Sequence, residues 1–269
     1  MSLLQAVLLG ILQGATEFLP VSSSGHLVLV PALFGWPEPG LAYDAFLHLA
    51  TLIAVIVYFW RDIVELIIAW VHSWDHLTAM APRERMAWLL IVSAIPGAIL
   101  GYFLEDKAAA LFSSPRAVGI MLLVTGLLLV GSERVGRRLR DLHQLKLSDA
   151  LWMGIAQGLA IAPGLSRSGA TVSVGLLCGL RRDEAARFSF LMGIPIILGA
   201  GGLQMVKLAQ EGLGHLSVGA MIAGFVAAAL AGYLTIRFLL SYVRSHSLRP
   251  FAYYCFAAGT AAIVLTALA

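Results

Sequence analysis

The chain has 269 residues, of which 33 are charged, 18 basic and 15 acidic. Charged residues make up 12% of the sequence, against about 25% in a soluble domain, and apolar residues make up 59%. This composition excludes a soluble domain of this size and a disordered chain. It predicts a helical integral membrane protein, because uncharged runs approach span length and no segment shows the alternation of a barrel strand. The net charge of +3 gives no reason to expect a nucleic-acid partner.

The chain begins with two apolar segments that are too short to cross a membrane. Leu3–Gln13 and Gly25–Phe34 both fall well below the roughly 20 residues that a span requires, and a polar stretch separates them. Polar backbone at membrane depth is tolerated only when it is buried in protein or lines a wet cavity. We therefore predict a re-entrant helical hairpin. The alternative is a single poor span over Phe18–Pro37, which Pro20 and Pro31 disfavour.

Six later segments approach spanning length and are predicted to be transmembrane helices: Leu41–Trp60, Met86–Leu104, Ala117–Ser132, Glu184–Val206, Leu216–Leu240 and Pro250–Ala269. Between the first two of them, Ile63–Trp74 is predicted to lie in the membrane interface. Between the third and the fourth, the short apolar segments Ala150–Ala160 and Val172–Leu180 flank the polar stretch Pro163–Thr171. This pattern predicts a second re-entrant hairpin.

The two hairpins repeat each other in sequence. Shifting the chain by the distance from Gly10 to Gly154 also aligns Ile11 with Ile155, Gln13 with Gln157, Gly14 with Gly158, Ser22 with Ser166, Ser24 with Ser168 and Gly25 with Gly169. Each unit is one hairpin plus three spans, and an odd number of crossings inverts the second unit. The predicted fold is an all-α polytopic membrane protein with two inverted-topology repeats. It forms a single membrane domain over 1–269, with repeat 1 at about 1–133, a cytoplasmic loop at about 134–147 and repeat 2 at about 148–269.

The basic residues are distributed unequally in this layout. One side holds only Lys107, Arg116 and Lys207, and Arg167 lies within a tip. The other side holds Arg61, Arg83, Arg85, Arg134, Arg137, Arg138, Arg140, Lys146, Arg181, Arg182, Arg187, Arg237, Arg244 and Arg249. The positive-inside rule makes the basic side cytoplasmic, with both termini outside and the first hairpin open to the outer side.

Few ionisable groups are expected at membrane depth, where they are costly and mark functional sites. They are Glu17, His26 and Arg167, with His48 as a weaker candidate. A serine, a histidine and a glutamate in one tip suggest a nucleophile, a proton carrier and an orienting group. An arginine among serines and glycines suggests an anion site, because guanidinium matches phosphate oxygens. The surrounding polar residues are Gln13, Ser22, Ser23, Ser24, Ser166, Ser168 and Thr171.

Glu17 would repel a phosphate unless the carboxylate were protonated or neutralised by a cation, which motivates Mg²⁺ or Ca²⁺ with Glu17 as a ligand. Structural readings compete with each functional one. Serines in membrane helices often bond their own backbone, Glu17 could sit at the interface, and Arg167 could pair with Glu17 for structure alone. The concentration of these residues in two matching tips favours the functional interpretation.

Two stretches carry a family resemblance. The first reads Gln13-Gly-Ala-Thr-Glu17-Phe-Leu-Pro20-Val-Ser22-Ser23-Ser24-Gly25-His26, and the second reads Pro163-Gly164-Leu165-Ser166-Arg167-Ser168-Gly169-Ala170-Thr171. They resemble the motifs of the undecaprenyl-diphosphate phosphatase family, the bacitracin-resistance type of lipid-carrier recycling enzyme in bacterial cell-wall synthesis. Length and span pattern agree along nearly the whole chain.

The resemblance implies hydrolysis of undecaprenyl diphosphate at the outer face of the bacterial plasma membrane, with a divalent cation. It implies that Glu17 is the essential carboxylate, that Ser23 and His26 are catalytic, and that Arg167 binds the diphosphate. Helpers in binding would be Ser22, Ser24, Ser166, Ser168, Thr171 and Gln13, which takes the amide variant of its position. The attacking group stays open between Ser23, His26 and water.

Two other classes of function remain open at this point. An inverted repeat is also typical of a polyprenyl-phosphate flippase or transporter, and lipid movement without phosphate release would identify one. A pure lipid-binding protein would need no cluster of serine, histidine and glutamate. The sequence is compatible with a homodimer and does not decide the oligomeric state.

Overall fold

The structure is a computed structural model that describes residues 1–37, 40–77, 79–211 and 217–268. Apart from turns, two short 3-10 segments and one isolated bridge, regular structure in these ranges is α-helical, which confirms the predicted all-α class. The helices are α1 (Leu3–Phe18), α2 (Ser23–Phe34), α3 (Leu41–Tyr58), α4 (Trp60–His72), α5 (Pro82–Phe112), α6 (Pro115–Val135), α7 (Leu147–Leu159), α8 (Arg167–Leu177), α9 (Arg182–Glu211), α10 (Val218–Tyr242) and α11 (Arg249–Leu268).

Several helices are suited to cross a membrane, so the chain is a multi-pass membrane protein. Five are long and apolar enough by length and composition: α5, α6, α9 over Arg182–Val206, α10 and α11. The remaining predicted span, Leu41–Trp60, corresponds to α3, whose described apolar part, Ala42–Tyr58, is slightly shorter than these five helices. Two predicted spans each include one residue outside the described ranges, Leu216 and Ala269.

The hairpin helices extend further into the polar tips than the sequence predicts. The helix α1 continues beyond Gln13 to Phe18, and α8 begins at Arg167 rather than near Val172. Serine caps explain the early starts of α2 and α8, since Ser22 Oγ accepts from Gly25 N at 3.3 Å and Ser166 Oγ accepts from Gly169 N at 3.0 Å. The candidate site residues Glu17, Ser23 and Arg167 therefore lie at helix ends rather than on unwound loops.

Contacts between neighbouring helices define the path of the first hairpin. Gly10 and Gly14 of α1 pack against Gly224 and Ala228 of α10 in the same order, so α1 and α10 run in parallel. The helix α3 starts beside the start of α1, where Tyr43 Oη donates to Ala6 O at 3.3 Å. Because α1 and α3 begin at the same end, α2 must return the chain to that end.

The second hairpin packs in the same manner against a different helix. Gly154 of α7 lies against the Ser93 carbonyl of α5, and Gly158 lies against Gly97 and Leu100. A Cβ atom at Gly154 would overlap the Ser93 oxygen, just as one at Gly10 would overlap the Gly224 oxygen. Both hairpins therefore need glycine where their first helix meets a long helix of the other half.

Ion pairs gather at one end of the bundle. The buried Glu133 at the end of α6 accepts from Arg182 Nε and Nη2, both at 2.7 Å, and from Arg138 Nη1 at 2.6 Å. The same carboxylate accepts from Leu248 N at 2.9 Å. These contacts join the end of α6, the start of α9 and the α10–α11 connection, three segments predicted to share the basic side.

Candidate active site

Glu17, in the last turn of α1, is the centre of the candidate site. Its side chain is buried, and its Oε1 accepts from Arg167 Nη2 at 2.8 Å. Its Oε2 accepts from Ser23 Oγ at 2.5 Å and from Gln13 Nε2 at 3.0 Å. One carboxylate therefore joins a cation, a hydroxyl and an amide, three side chains selected from the sequence.

The two hairpin tips meet at this carboxylate. Gln13 and Glu17 are one turn apart on α1, Ser23 is the first residue of α2, and Arg167 is the first residue of α8. Ser168 Oγ also donates to the backbone oxygen of Leu19 at 3.2 Å, which joins the second tip to the connection between α1 and α2. The predicted meeting of the tips is thus seen in direct contacts between residues about 150 positions apart.

His48 lies at the same carboxylate from α3. Its Nε2 is 3.3 Å from Glu17 Oε2, and its Nδ1 is 2.7 Å from the Asp44 carbonyl oxygen. A carbonyl oxygen only accepts, so Nδ1 of His48 carries a hydrogen. The contact between His48 Nε2 and Glu17 Oε2 is attractive only when a second proton lies between these two atoms. The sequence analysis ranked His48 as a weaker candidate, and the geometry places the imidazole directly against Glu17.

The His26 imidazole does not bond to Ser23, as a catalytic serine–histidine pair would require. Its Nδ1 donates to the Ser22 carbonyl oxygen at 2.7 Å, and its Nε2 lies 2.6 Å from Tyr254 Oη of α11. The carbonyl fixes the hydrogen on Nδ1, so a neutral ring accepts from the tyrosine hydroxyl at Nε2. Within the described residues, the hydroxyl of Ser23 bonds to Glu17 and not to His26.

The remaining polar residues of the tips mainly hold the tips in shape. Ser22 and Ser166 cap α2 and α8, and Ser24 Oγ lies 3.3 Å from Ser22 Oγ. Thr171 Oγ1 lies 2.6 Å from Ser189 Oγ of α9 and donates to the Arg167 carbonyl oxygen at 2.8 Å. In this structure these side chains bond to protein partners, as helix-end serines and threonines commonly do.

Two buried polar atoms of the site have no hydrogen-bond partner within the described ranges of the chain. They are Arg167 Nη1 and Gln13 Oε1. The guanidinium lies against Gly193 of α9, where a Cβ atom would collide with Nη1. Buried polar atoms are normally satisfied by a partner, water or ligand. The arrangement therefore offers one free cationic donor and one free oxygen beside the Glu17 carboxylate.

Comparison with known proteins decides the family. Residues 6–261 match the family described as bacitracin resistance protein BacA. This chain belongs to the BacA family. The undecaprenyl-diphosphatase of Moorella thermoacetica is 48% identical over 257 residues, 94% of each chain, and that of Rubrobacter xylanophilus is 47% identical over 260 residues, 96% of each. The one from Trichlorobacter lovleyi is 44% identical over 271 residues, 98% of this chain and 97% of the relative.

Some residues of this BacA-family site were not singled out from the sequence. Tyr254 reaches His26 from α11, and Ser189 reaches Thr171 from α9. Thr125 of α6 accepts from the Ser166 amide at 3.0 Å and donates to the Gly164 carbonyl oxygen at 3.1 Å. All three lie in apolar spans without a motif, so only the packing of distant helices brings them to the tips.

Proposed function

We propose that this BacA-family protein hydrolyses undecaprenyl diphosphate to undecaprenyl phosphate and phosphate, returning the lipid carrier to bacterial cell-wall synthesis. The observation that carries the proposal is the contact of Glu17 with both Ser23 and Arg167, which combines a carboxylate, a hydroxyl and a phosphate-matching cation. Relatives that share more than two fifths of their residues with this chain are named undecaprenyl-diphosphatases.

We infer an inverted-repeat fold around this site. It is supported by the parallel packing of α1 on α10 and of α7 on α5, with glycine at matching positions of both hairpins. The antiparallel contact of α6 with α11, at Gly119–Gly259 and Gly126–Phe256, fits a two-fold relation between the third spans. With the basic end cytoplasmic, both termini and the mouth of the first hairpin would face outward.

Substrate binding in this proposal uses both tips. Arg167 offers Nη1 to a phosphoryl oxygen, while Nη2 stays with Glu17. The helices α2 and α8 both begin at the site, so their positive ends add to the attraction for the diphosphate. The apolar exterior of the spans leaves the isoprenoid chain in lipid, with only the headgroup entering the protein.

The first chemical step assigns the attack to Ser23. Its Oγ forms a bond to the terminal phosphorus as Glu17 Oε2 takes the hydroxyl proton over the existing hydrogen bond. The bond from that phosphorus to the bridging oxygen breaks, and undecaprenyl phosphate leaves with the electron pair. Arg167 stabilises the charge on the equatorial oxygens during transfer.

The second step removes phosphate from Ser23. A water that displaces the Tyr254 hydroxyl from His26 Nε2 gives a proton to that nitrogen, since Nδ1 is committed to the Ser22 carbonyl. The resulting hydroxide attacks phosphorus, and the bond to Ser23 Oγ breaks. Glu17 returns its proton to Ser23 Oγ, and His26 releases its proton to the departing phosphate, so both groups are restored. Until the water enters, Tyr254 is hydrogen-bonded to the same Nε2 and keeps the ring in this orientation as a positioning residue.

The donor set partly fits a divalent cation. No group of three histidine, cysteine, aspartate or glutamate residues suited to a metal occurs within the described part of the chain. Glu17 and the unpartnered Gln13 Oε1 are nevertheless oxygen donors of the kind that Mg²⁺ and Ca²⁺ prefer. We propose that these two residues would hold the cation together with substrate oxygens, and that it would neutralise phosphate charge.

The decisive experiment measures phosphate release by purified protein from undecaprenyl diphosphate and from the monophosphate. Release from the diphosphate alone, reduced by chelator and restored by Mg²⁺ or Ca²⁺, supports the proposal. Lipid movement across vesicles without phosphate release would instead favour a flippase. Full activity after exhaustive chelation would show that the reaction needs no cation and would leave the rest of the proposal intact.

A further inference from the structure

Gln157, near the end of α7, is a buried side chain whose chemistry the mechanism does not yet use. The residue is only 4% exposed, and neither Nε2 nor Oε1 of its amide has a hydrogen-bond partner among the residues that the structure describes. The repeat aligns it with Gln13, which donates its Nε2 to Glu17. The position that matches Glu17 in the second tip is Ile161, so Gln157 has no carboxylate in its own hairpin.

The amide lies beside a side chain of α9 that is one turn away from the glycine in contact with the anion-binding arginine. A Cβ atom on Gly97 of α5 would sit 3.2 Å from Gln157 Nε2 and 3.5 Å from Ile196 Cδ1, so both side chains face the same point. Arg167 Nη1 lies against Gly193, three residues before Ile196 on α9. Three residues of helix rise about 4.5 Å. The amide and the guanidinium therefore approach neighbouring turns of α9.

A buried amide without hydrogen-bond partners lowers the stability of the fold. Each buried donor or acceptor that is left without a partner has lost its hydrogen bonds to water with nothing in exchange. A side chain that served only packing could be leucine, which would remove that cost. The free atoms match a ligand that accepts at one point and donates at another. A phosphoryl oxygen accepts from Nε2, and a phosphate hydroxyl or bound water donates to Oε1.

We propose that Gln157 is a further substrate-binding residue, which donates Nε2–H to a phosphoryl oxygen of the diphosphate held by Arg167. This inference rests on the proposed phosphatase function. Each tip then contributes one glutamine. Gln13 acts beside the carboxylate, and Gln157 acts beside the arginine.

The test replaces Gln157 with leucine, which keeps similar volume and removes both polar atoms. We expect kcat/KM to fall about tenfold to a hundredfold, mainly through KM, as for a lost hydrogen bond to a charged group. We expect the Tm of the ligand-free protein in detergent to stay equal or rise. Inorganic pyrophosphate should raise the Tm of the wild-type protein and do so less in Gln157→Leu.

The matched control is Ser173→Ala, which removes from α8 a buried hydroxyl that has no hydrogen-bond partner in the described part of the chain. It should leave both kcat/KM and the pyrophosphate shift unchanged. Wild-type kinetics in Gln157→Leu, or a lower Tm with unchanged KM, would overturn the assignment in favour of a packing role. A wild-type protein that releases no phosphate would defeat the proposed function instead, while the pyrophosphate shift would still report on Gln157.

Discussion

The two hairpin tips share a scaffold and differ in chemistry. Both use glycine to place their first helix against a long helix of the other half, and both use serine to cap the second helix. The aligned pairs that differ include Glu17 and Ile161, Ser23 and Arg167, and His26 and Ala170. In the proposed mechanism, one tip holds the nucleophile with its proton acceptors, and the other holds the cationic arginine. Packing two hairpins of similar sequence against each other allows the opposite charges of Glu17 and Arg167 to meet at a buried point.

The first prediction tests the tip that holds the nucleophile. Replacing Ser23 with alanine should lower phosphate release by about a thousandfold or more, because the proposed bond to phosphorus can no longer form. Labelling with radioactive terminal phosphate should detect a phosphoenzyme in the wild-type protein and none in Ser23→Ala. Ser113→Ala, at the exposed end of α5, serves as the serine control. A phosphoenzyme that persists in Ser23→Ala would transfer the nucleophilic role to another side chain.

The second prediction tests the tip that holds the cation. Arg167→Ala should reduce kcat by about a hundredfold to a thousandfold, the usual loss on removing a donor that stabilises transition-state charge. Since alanine leaves Glu17 buried without its cation, Arg167→Lys keeps a positive charge and separates folding from catalysis. It too should lose most activity, because an ammonium cannot replace the planar fork. Arg116→Ala, on the exposed start of α6, should retain full activity.

Wild-type turnover in folded Arg167→Ala would contradict the division of labour between the tips. In that case the contact with Glu17 would be a structural ion pair. Arg167→Ala would then lower only the temperature of thermal unfolding, because the Glu17 carboxylate would be left buried without its ion-pair partner.

The third prediction tests the shared scaffold through stability. Gly10→Leu and Gly154→Leu should each destabilise the protein by about 1–3 kcal/mol, since both push a side chain into a backbone carbonyl of the neighbouring helix. Thermal unfolding in detergent measures the loss. Gly101→Leu is the control, because a Cβ atom at Gly101 would have no neighbouring atom of the described residues within 4 Å. A tolerated leucine at only one of the two positions would show that the hairpins are not equivalent.

The sequence was sufficient to predict the helix pairs α1–α2 and α7–α8 and many of the side chains that meet at Glu17. Apolar segments shorter than a span identified the hairpins, and the rarity of charge at membrane depth identified Glu17 and Arg167 before any contact was known. Helix ends were less predictable, because the caps at Ser22 and Ser166 depend on local hydrogen bonds. The direction of His26 was not predictable, because its partner lies 228 residues away on another helix.

The last prediction concerns that distant partner and has the smallest expected effect. Tyr254→Phe keeps the ring and removes the hydroxyl that lies 2.6 Å from His26 Nε2. Losing one neutral hydrogen bond of about 0.5–1.5 kcal/mol should lower kcat about twofold to tenfold and leave KM nearly unchanged. The phosphoenzyme should accumulate, since His26 acts in the second step. Steady-state kinetics and the fraction of labelled protein measure both effects.

The adjacent Tyr253 supplies the control for this variant, because its side chain is 61% exposed on the same helix. Tyr253→Phe should match the wild-type protein in both measurements. If Tyr254→Phe slowed turnover while its phosphoenzyme level fell, His26 would act before or during attack by Ser23. The first tip would then hold both of its proton acceptors for one step, and the second step would need a different base.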